Sequence, residues 1–384
     1  MRVEVQPALL RWARERSRLD PEALAVRFPK LSAWEGRNER PTLKQIESFA
    51  HATHAPVGFF FLTEPPVEAV PIPDFRTVGA RRVERPSADL LDTIYLCQQR
   101  QEWYRDFARQ AREDSLAFVG SANVHADVVA TAATMRAALD FDLAERARLP
   151  TWTEALRRFI DQADRLGVLV MVNGVVGNNT SRKLDPEEFR GFALADDLAP
   201  LVFINGADTK AGQMFTLAHE LAHLWLGQSA LTDVQPISAP ADHIERWCNQ
   251  VAAELLVPLD TLRDDYHRGE DLRGALDRLA RRFKVSTLVI LRRIHDAGGI
   301  SRDEMWAAYH AEVESLREKA ASVRGVGGGG DFYRTQAVRT GQRFARALLT
   351  STLEGETLRR DALQLLGVSK LATLHEFAHR LGVD

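Results

Sequence analysis

One stretch of this 384-residue chain decides how the rest is interpreted: residues 215–225 read FTLAHELAHLW. His219 and His223 lie four positions apart, so on a helix they project from the same face, one turn from each other. Two imidazoles placed in this way can bind one metal ion. Glu220, directly after the first histidine, can then reach a water molecule beside that metal and act as a general base. The stretch therefore predicts a helix that carries a metal site.

This arrangement is the HExxH pattern of zinc peptidases. Catalytic zinc needs three protein ligands and an open position for water. Further along the chain, Glu245 lies in a second predicted helix, which can cross behind the first and supply a third ligand. Asn249, one turn further on the same face, is expected to hold a ligating histidine in the right tautomer. The pattern predicts one Zn²⁺ per chain, bound by His219, His223 and Glu245.

The same pattern occurs a second time near the C-terminus, where residues 375–379 read HEFAH. Only the five residues 380–384 follow this copy, so no later helix can supply a third ligand. Apolar residues flank it at helical spacing and indicate the buried face of an ordinary terminal helix. These residues are Leu374, Phe377 and Leu381. We therefore expect no metal at His375 and His379.

Four further residues are candidates near the predicted zinc site. Glu254 is a competing carboxylate, but it follows Glu245 by two and a half turns and faces nearly the opposite side, either behind the ligands or in solvent. His243, just before the second helix, either contacts substrate or the transition state, or is an ordinary surface histidine. Tyr266 and His267, further along the chain, are candidates for the same contact.

Composition is that of an ordinary globular protein, with 45% apolar and 27% charged residues. A formal net charge of −3 gives no overall attraction to nucleic acid or to an anionic membrane. Cys97 and Cys248 do not have the spacing of a disulfide framework or a zinc ribbon, so a cytoplasmic location is expected. Residues 1–18 carry five arginines and no apolar core, which is unlike a signal peptide. No stretch approaches membrane-spanning length, and no membrane partner is expected.

The first 65 residues contain four or five short predicted helices. Asp20 and Pro21 suit the start of the second helix, and a third, over residues 30–35, ends at Gly36. A tight turn between the second and third helices is typical of a helix-turn-helix domain. The segment WEGRNERPT, at residues 34–42, resembles the corresponding part of the Xre-type, lambda-repressor-like helix-turn-helix domain. The resemblance covers about residues 1–65.

DNA binding by this domain is a separate question. Residues 1–64 contain ten Lys or Arg and eight Asp or Glu, a net charge of only +2. The expected recognition helix offers Lys30 and Ser32, but it also has Pro29 at its start and the bulky Trp34. Basic surfaces of DNA-binding domains are usually stronger than this. Two interpretations stay open: residues 1–65 bind DNA, or they retain the fold in order to bind a protein.

The middle of the chain changes from a helical to a strand-like period. Helices are predicted at 87–112, 124–139 and 152–166. Strands are predicted at 168–172, 191–195 and 201–205. Because these strands directly precede the HExxH helix, we expect a small antiparallel sheet backed by that helix, with an edge strand available to an extended substrate. Residues 208–210 are expected to cap the helix, and Gly227 to end it.

These features together resemble the ImmA/IrrE family of metallopeptidases. The resemblance lies in residues 200–226 and in the second helix, which reads ExxxNxxAAELLVP over residues 245–258. It implies an α+β, mainly helical protein with a zincin-like metallopeptidase core, and a protein substrate. Members of this family typically cleave an Xre-type repressor and so release genes for stress responses or mobile elements. The implied roles are zinc binding by His219, His223 and Glu245 and general-base catalysis by Glu220.

The rest of the chain is predicted to be helical, with a flexible glycine run at residues 325–330. The final block has a net charge of only +2, which favours a helical docking module over a nucleic-acid clamp. The expected divisions are 1–65 (helix-turn-helix domain), 66–150 (proline-rich linker and helical region), 151–300 (zincin-like core), 301–330 (helix and glycine-rich linker) and 331–384 (C-terminal module of two or three helices).

Two functions of different classes are compatible with these patterns. The first is a zinc-dependent endopeptidase that cleaves a protein, an Xre-type repressor by the resemblance, in stress or mobile-element gene control. The second is a DNA-binding transcriptional regulator or antitoxin-like protein that uses the zincin fold for sensing or docking. The intact Glu220 favours the first, because a docking domain does not need a base beside its metal.

Overall fold

The computed structural model of the chain describes residues 1–75, 77–78, 81–82, 86–232, 242–322 and 331–383. It divides into two compact units. Unit 1 comprises Met1–Pro71 and Gly79–Tyr95, and unit 2 comprises Ile72–Val78 and Leu96–Asp384. The chain therefore contributes one short segment to unit 2, returns to unit 1, and then remains in unit 2. The predicted glycine run at residues 325–330 lies outside the described residues.

Unit 1 consists mainly of short helices around one apolar core. They are α1 (Pro7–Ser17), α2 (Pro21–Arg27), α3 (Leu31–Glu35), α4 (Leu43–Thr53) and a 3₁₀ turn (Val57–Phe61). Asp20 caps α2 by accepting two backbone N–H groups, as predicted, and Thr42 forms a capping box with Gln45 at the start of α4. Leu10 and Phe49 are fully buried where the apolar faces of these helices meet.

The predicted third helix is α3, which ends at Gly36 as expected but is only five residues long. Trp34 is 3% exposed and belongs to the core of unit 1, so its bulk does not lie on the surface of the helix. Lys30 is the residue before α3 rather than part of it, and its ammonium lies 2.8 Å from Glu39. The polar surface that α3 offers to a partner is therefore small.

Two two-residue strands, β1 (Thr77–Val78) and β2 (Arg81–Arg82), precede a series of helices. The helices are α5 (Ala88–Ala111), α6 (Val128–Leu139), α7 (Leu143–Arg148) and α8 (Trp152–Leu166). The predicted helices at 87–112 and 152–166 are confirmed to within one residue. The helix predicted from residue 124 starts later because Asp127 caps it, and α7 was not predicted.

The main sheet of unit 2 has four strands in the order β3–β7–β6–β8. The strands are β3 (Leu169–Asn173), β6 (Gly191–Leu194), β7 (Leu201–Asn205) and β8 (Ala230–Thr232). A separate hairpin joins β4 (Val175–Val176) to β5 (Asn179–Lys183). The three predicted strands are present, each within one residue of its expected position. Neither β8 nor this hairpin was predicted.

The prediction of an antiparallel sheet is wrong, because the sheet is mixed. Strands β3 and β7 run parallel, with Leu169 opposite Leu201, while β6 pairs antiparallel with both β7 and β8. The hairpin and β6 lie between β3 and β7 in the sequence, and this long connection allows the chain to return and run in the same direction. The apolar pattern of a strand shows that it is buried but not which way its neighbour runs.

The HExxH helix is α9 (Lys210–Trp225), and the second predicted helix is α10 (His243–Leu256). Thr209 caps α9, since its hydroxyl accepts the N–H of Gly212 at 3.0 Å. Gly227, with φ of +68°, follows the end of the helix, as expected. Every residue from 213 to 225 is buried, because α9 packs against α10, α8 and the sheet. Side chains on all faces of α9 are therefore held in place by packing.

The described residues after α10 form eight helices. They are α11 (Leu259–Asp265), α12 (Leu272–Phe283), α13 (Thr287–Asp296), α14 (Arg302–Ser322), α15 (Phe332–Thr340), α16 (Gln342–Leu353), α17 (Arg359–Leu366) and α18 (Leu371–Leu381). The described residues of the final block, 331–383, thus form four helices rather than two or three. Between α15 and α16, Gly341 has φ of +78°, and a Cβ there would lie 2.9 Å from the carbonyl of Val170. None of the described helices is both long enough and apolar enough to span a bilayer.

Candidate metal centre

Helices α9 and α10 bring three side chains together in the interior of unit 2. Nε2 of His219 lies 3.3 Å from Oε2 of Glu245, and Nε2 of His223 lies 3.0 Å from Oε1 of the same carboxylate. The two imidazole nitrogens are 3.0 Å apart. One potential ligand atom from each residue lies within 4.8 Å of the other two. The described part of the chain contains no second group of this kind.

Local structure explains why these side chains converge. The spacing of four residues in α9 places both imidazoles on one face. On α10, Asp242 is the N-cap and accepts the N–H groups of Ile244 and Glu245, which fixes the first turn of the helix. Glu245 therefore starts from a rigid backbone and points at the two histidines across the contact between α9 and α10.

The three side chains form a buried and electrostatically coupled group. His219 and His223 are fully buried, and Glu245 is 5% exposed. Burial acts to raise the pKa of Glu245, but the two histidines outweigh it and lower that pKa to about 2. Burial acts to lower the pKa of His219, but the charge of Glu245 outweighs it and raises that pKa, whereas burial lowers the pKa of His223. A buried anion beside two imidazoles is suited to hold a cation.

Glu220 is also fully buried, and its two carboxylate oxygens have different surroundings. Oε1 accepts a hydrogen bond from the hydroxyl of Thr232 on β8. Oε2 has no hydrogen-bond partner among the described residues. Burial raises the pKa of Glu220 to about 8. One oxygen is thus oriented by the protein, and the other is available to a proton donor.

Gly191 on β6 makes room for this carboxylate. A Cβ at Gly191 would lie 2.5 Å from Cγ2 of Thr216, 2.8 Å from the carbonyl oxygen of Phe203 and 3.2 Å from Oε1 of Glu220. Since the carbonyl belongs to the backbone of β7, it cannot move aside easily. A glycine is therefore required where β6 passes closest to α9.

Residues 163–295 match the Peptidase_M78 family model. That model is described as the IrrE N-terminal-like domain, and the match covers about a third of the chain. It begins in α8 and ends in α13, so it contains the whole His219, His223 and Glu245 group, and it supports a peptidase function for this segment. Residues 340–380 match a second model, described as a domain of unknown function, DUF8813. No curated protein matches the chain.

Asn249, within the Peptidase_M78 segment, lies one turn after Glu245 on α10 and close enough to His219 to favour the protonated form of that histidine. Its Oδ1 atom and the Nδ1 atoms of His219 and His223 are buried and have no hydrogen-bond partner among the described residues. The expected contact between Asn249 and a histidine is therefore near in space but not formed as a hydrogen bond.

Glu254 faces away from the three convergent side chains, as predicted, but it is neither in solvent nor behind the ligands. It is 4% exposed and accepts a hydrogen bond from the guanidinium of Arg293. The backbone N–H of Leu259 also donates to it, at 3.4 Å. Within the described residues, the Glu254 carboxylate therefore serves the packing of α10 against α11 and α13.

The other three candidates lie outside the convergent group. His243 is the first residue of α10, and its side chain is exposed. Tyr266 is half-buried beside Gly299, where a Cβ would lie 2.6 Å from its ring. His267 is exposed, and its backbone N–H donates to Glu270 at 2.9 Å. A role for any of the three in substrate contact stays a prediction.

The second HExxH copy lies on the surface of α18. His375 and His379 are both exposed, and Glu376 forms an ion pair with Arg380 at 2.8 Å. The predicted buried face of this helix is largely confirmed, since Leu374 and Phe377 are each 1% exposed and Leu381 is half-buried. No carboxylate or imidazole from another described element joins the pair in a ligand group.

Sequence reasoning missed three residues that border the site: Gly191, Thr232 and Phe75. Gly191 carried a signal, because a glycine at the start of an otherwise apolar strand often marks a close backbone approach. Thr232 lies in a strand of three residues whose pairing is not evident from the sequence. The ring of Phe75 is stacked against His223, with 6.3 Å between ring centroids, although the two are far apart in sequence.

Proposed function

We propose that the chain is a zinc-dependent endopeptidase whose centre is formed by His219, His223 and Glu245, with Glu220 as general base. The observation that carries this proposal is the convergence of two imidazoles and one carboxylate from two helices, with a fourth, separately oriented carboxylate next to them. The match of residues 163–295 to a peptidase family model supports the same class of reaction.

The residues present fit a zinc ion. Two histidines and one glutamate are a ligand set of catalytic zinc sites. The two Nε2 atoms are only 3.0 Å apart, so protons on both would repel each other. A cation between the two histidines and Glu245 takes the place of these protons. The free Nδ1 atoms are then available as donors, and the unpartnered Oδ1 of Asn249 is a suitable acceptor for His219.

Zinc in such a site acts as a Lewis acid and makes water a stronger proton donor. Glu220 would take that proton on Oε2, since its Oε1 is engaged by Thr232. Once it carries that proton, Glu220 can pass it to the amine that leaves. The burial of α9 limits the access of bulk water to this proton.

The substrate we propose is a protein, and an Xre-type repressor is the class that the family resemblance suggests. Unit 1 is the part we assign to recognition. At least five of its cations are already engaged in ion pairs with carboxylates inside the unit. These cations are Arg2, Arg14, Arg16, Lys30 and Arg40. Since paired cations release few counterions from DNA, this charge arrangement favours a protein partner.

Metal analysis of purified variants tests the proposal. The wild-type chain should hold about one zinc, and His219→Ala or His223→Ala should abolish binding, because each removes one of the two imidazole ligands and leaves a single imidazole beside the carboxylate. Glu245→Ala should weaken it. The matched controls are His375→Ala and His379→Ala, which change the exposed second copy and should leave the zinc content unaltered.

Peptide hydrolysis is then measured by mass spectrometry, as cleavage of a proteome-derived peptide library. New termini should appear with the wild-type chain and be absent with Glu220→Gln, which retains zinc. Equal cleavage by Glu220→Gln and wild type would remove Glu220 from the role of base. Full zinc retention in Glu245→Ala would remove Glu245 from the ligand set.

A further inference from the structure

The outer edge of the sheet is covered by a segment of the chain itself. The N–H of Leu231 on β8 donates to the carbonyl of Pro73 at 2.8 Å, and the N–H of Phe75 donates to the carbonyl of Leu231 at 3.0 Å. Asp74 lies opposite Leu231 in a parallel bridge. We call Pro73–Phe75 the strap. The expectation that this edge strand is free for a substrate is therefore wrong at Leu231.

The strap uses both outward backbone groups of Leu231. Within β8, Leu231 is the middle residue, and the strand pairs with β6 on its inner side. Successive residues of a strand direct their N–H and C=O groups to opposite neighbours, so Leu231 is the one residue of β8 that turns both groups outward. Both groups are taken by Pro73 and Phe75. A second extended chain cannot pair with Leu231 while the strap is in place.

The strap also contacts one of the proposed metal ligands. The ring of Phe75 is stacked on the ring of His223, with the planes 22° apart. Thr232, the residue after Leu231, is the hydrogen-bond donor to Glu220. The same short strand therefore contacts the strap through one residue and the proposed base through the next. The segment that contains the strap, Ile72–Val78, is part of unit 2.

We infer that the strap occupies the position that an extended peptide substrate takes beside the metal, and that it must leave before such a peptide can bind. Extended peptides bind sheet edges through main-chain hydrogen bonds, and the strap already makes these bonds. A peptide that forms the same main-chain hydrogen bonds and gains further contacts of its own can displace the strap. This role of the strap depends on the zinc centre proposed above.

Two hydroxamates distinguish an effect of the strap on binding from an effect of the metal centre. Acetohydroxamate offers only a zinc-binding head, whereas acetyl-Leu-Phe-Leu hydroxamate adds an extended peptide that needs the sheet edge. Both are titrated calorimetrically into the full-length, zinc-loaded chain. Phe75→Ala should raise the affinity for the tripeptide hydroxamate about threefold to tenfold, the value of one aromatic contact, and leave that for acetohydroxamate unchanged.

A second variant and a matched control sharpen the result. Phe75→Pro removes the ring and also the N–H that donates to Leu231, so its gain should exceed that of Phe75→Ala. Phe61→Ala makes the same ring deletion at an exposed residue of unit 1 and should change neither affinity. An unchanged or lower tripeptide affinity in Phe75→Ala, with acetohydroxamate still bound, would overturn the role of the strap alone.

Hydrogen exchange provides a readout that needs no variant. In the wild-type chain saturated with the tripeptide hydroxamate, the N–H of Phe75 should exchange faster, while the N–H of Leu231 stays protected by its new partner. Continued protection of the Phe75 N–H in that complex would show that the strap does not leave. If neither hydroxamate binds the zinc-loaded chain, the zinc has no open position for a substrate; the proposed peptidase centre then fails, and the role of the strap fails with it.

Discussion

Thr232 on β8 donates its hydroxyl hydrogen to Oε1 of Glu220 on α9. The contact fixes the orientation of a buried carboxylate and leaves its second oxygen, Oε2, without a partner among the described residues. It also joins the edge of the sheet to the helix that carries the proposed metal ligands. A threonine in a three-residue strand thus determines which lone pairs of the proposed base are available.

Thr232→Val tests this contact, because it removes the hydroxyl while keeping the shape of the side chain. Loss of a hydrogen bond to a charged group should reduce peptide hydrolysis about tenfold, with zinc content unchanged. Thr232→Ser retains the hydroxyl and is the matched control. Initial rates on a peptide identified from the library provide the measurement. Equal rates for the valine and serine variants would show that Thr232 does not position Glu220.

The raised pKa of Glu220 should make the stability of the metal-free chain depend on pH. Burial raises its pKa from 4.5 to about 8, so between these values the folded chain keeps a proton that the unfolded chain has released. The contribution of Glu220 to stability is therefore fully present below pH 4.5 and is lost as the pH rises through 8. A glutamine at position 220 has no proton to lose in this pH range, so the Glu220→Gln variant lacks this pH-dependent contribution to stability.

Thermal unfolding in the presence of a chelator, from pH 5 to pH 8, measures the difference between the two chains. The wild-type midpoint should fall relative to that of Glu220→Gln as the pH rises. Both chains contain His219, His223 and Glu245, so the comparison isolates the change at position 220 together with its effect on His219. Parallel curves for the two chains would mean that the carboxyl group of Glu220 is not held protonated by the fold.

Asn249 is predicted to support zinc binding through His219. If its Oδ1 accepts the Nδ1–H of the metal-bound histidine, Asn249→Ala should weaken zinc affinity about tenfold or more. Gln250→Ala, at the exposed neighbouring position of α10, is the control and should have no effect. Competition with a zinc chelator measures both affinities. Equal zinc affinity in Asn249→Ala and wild type would show that the asparagine does not support the ligand.

Unit 1 is predicted to bind duplex DNA only weakly. Residues 1–64 have a net charge of only +2, and at least five of the cations of unit 1 are paired with carboxylates in the folded chain, so little counterion release is expected. Fluorescence anisotropy of the full-length chain with labelled duplexes should give low affinity and a shallow dependence on salt. Tight, sequence-selective binding at physiological salt would contradict this expectation and favour the transcriptional regulator.

The sequence was sufficient to predict the parts of the site that depend on one helix. The spacing of His219 and His223, the capping region before α9 and the position of Glu245 near the start of α10 are all local, and the structure has them as expected. The sequence also distinguished the second HExxH copy, on α18, from the first, because too few residues follow the second copy to supply a third ligand. Helical periodicity and capping are properties of neighbouring residues, so they are evident without a structure.

The remaining parts depend on contacts between distant segments. The direction of β3 relative to β7, the hydrogen bond of Thr232 and the ring of Phe75 over His223 each join residues that no sequence period relates. Glu254 was placed on the correct side of α10, but its partner Arg293 lies on a different helix, so burial of the pair could not be predicted. Such pairings are set by tertiary packing rather than by local preference.

Anomalous diffraction at the zinc edge, from crystals of the zinc-loaded chain, tests the proposed centre most directly. One peak per chain should lie about 2.0–2.2 Å from Nε2 of His219, Nε2 of His223 and a carboxylate oxygen of Glu245. A peak bound instead by Glu254 or by the histidines of α18, or no peak at the convergence of α9 and α10, would contradict it.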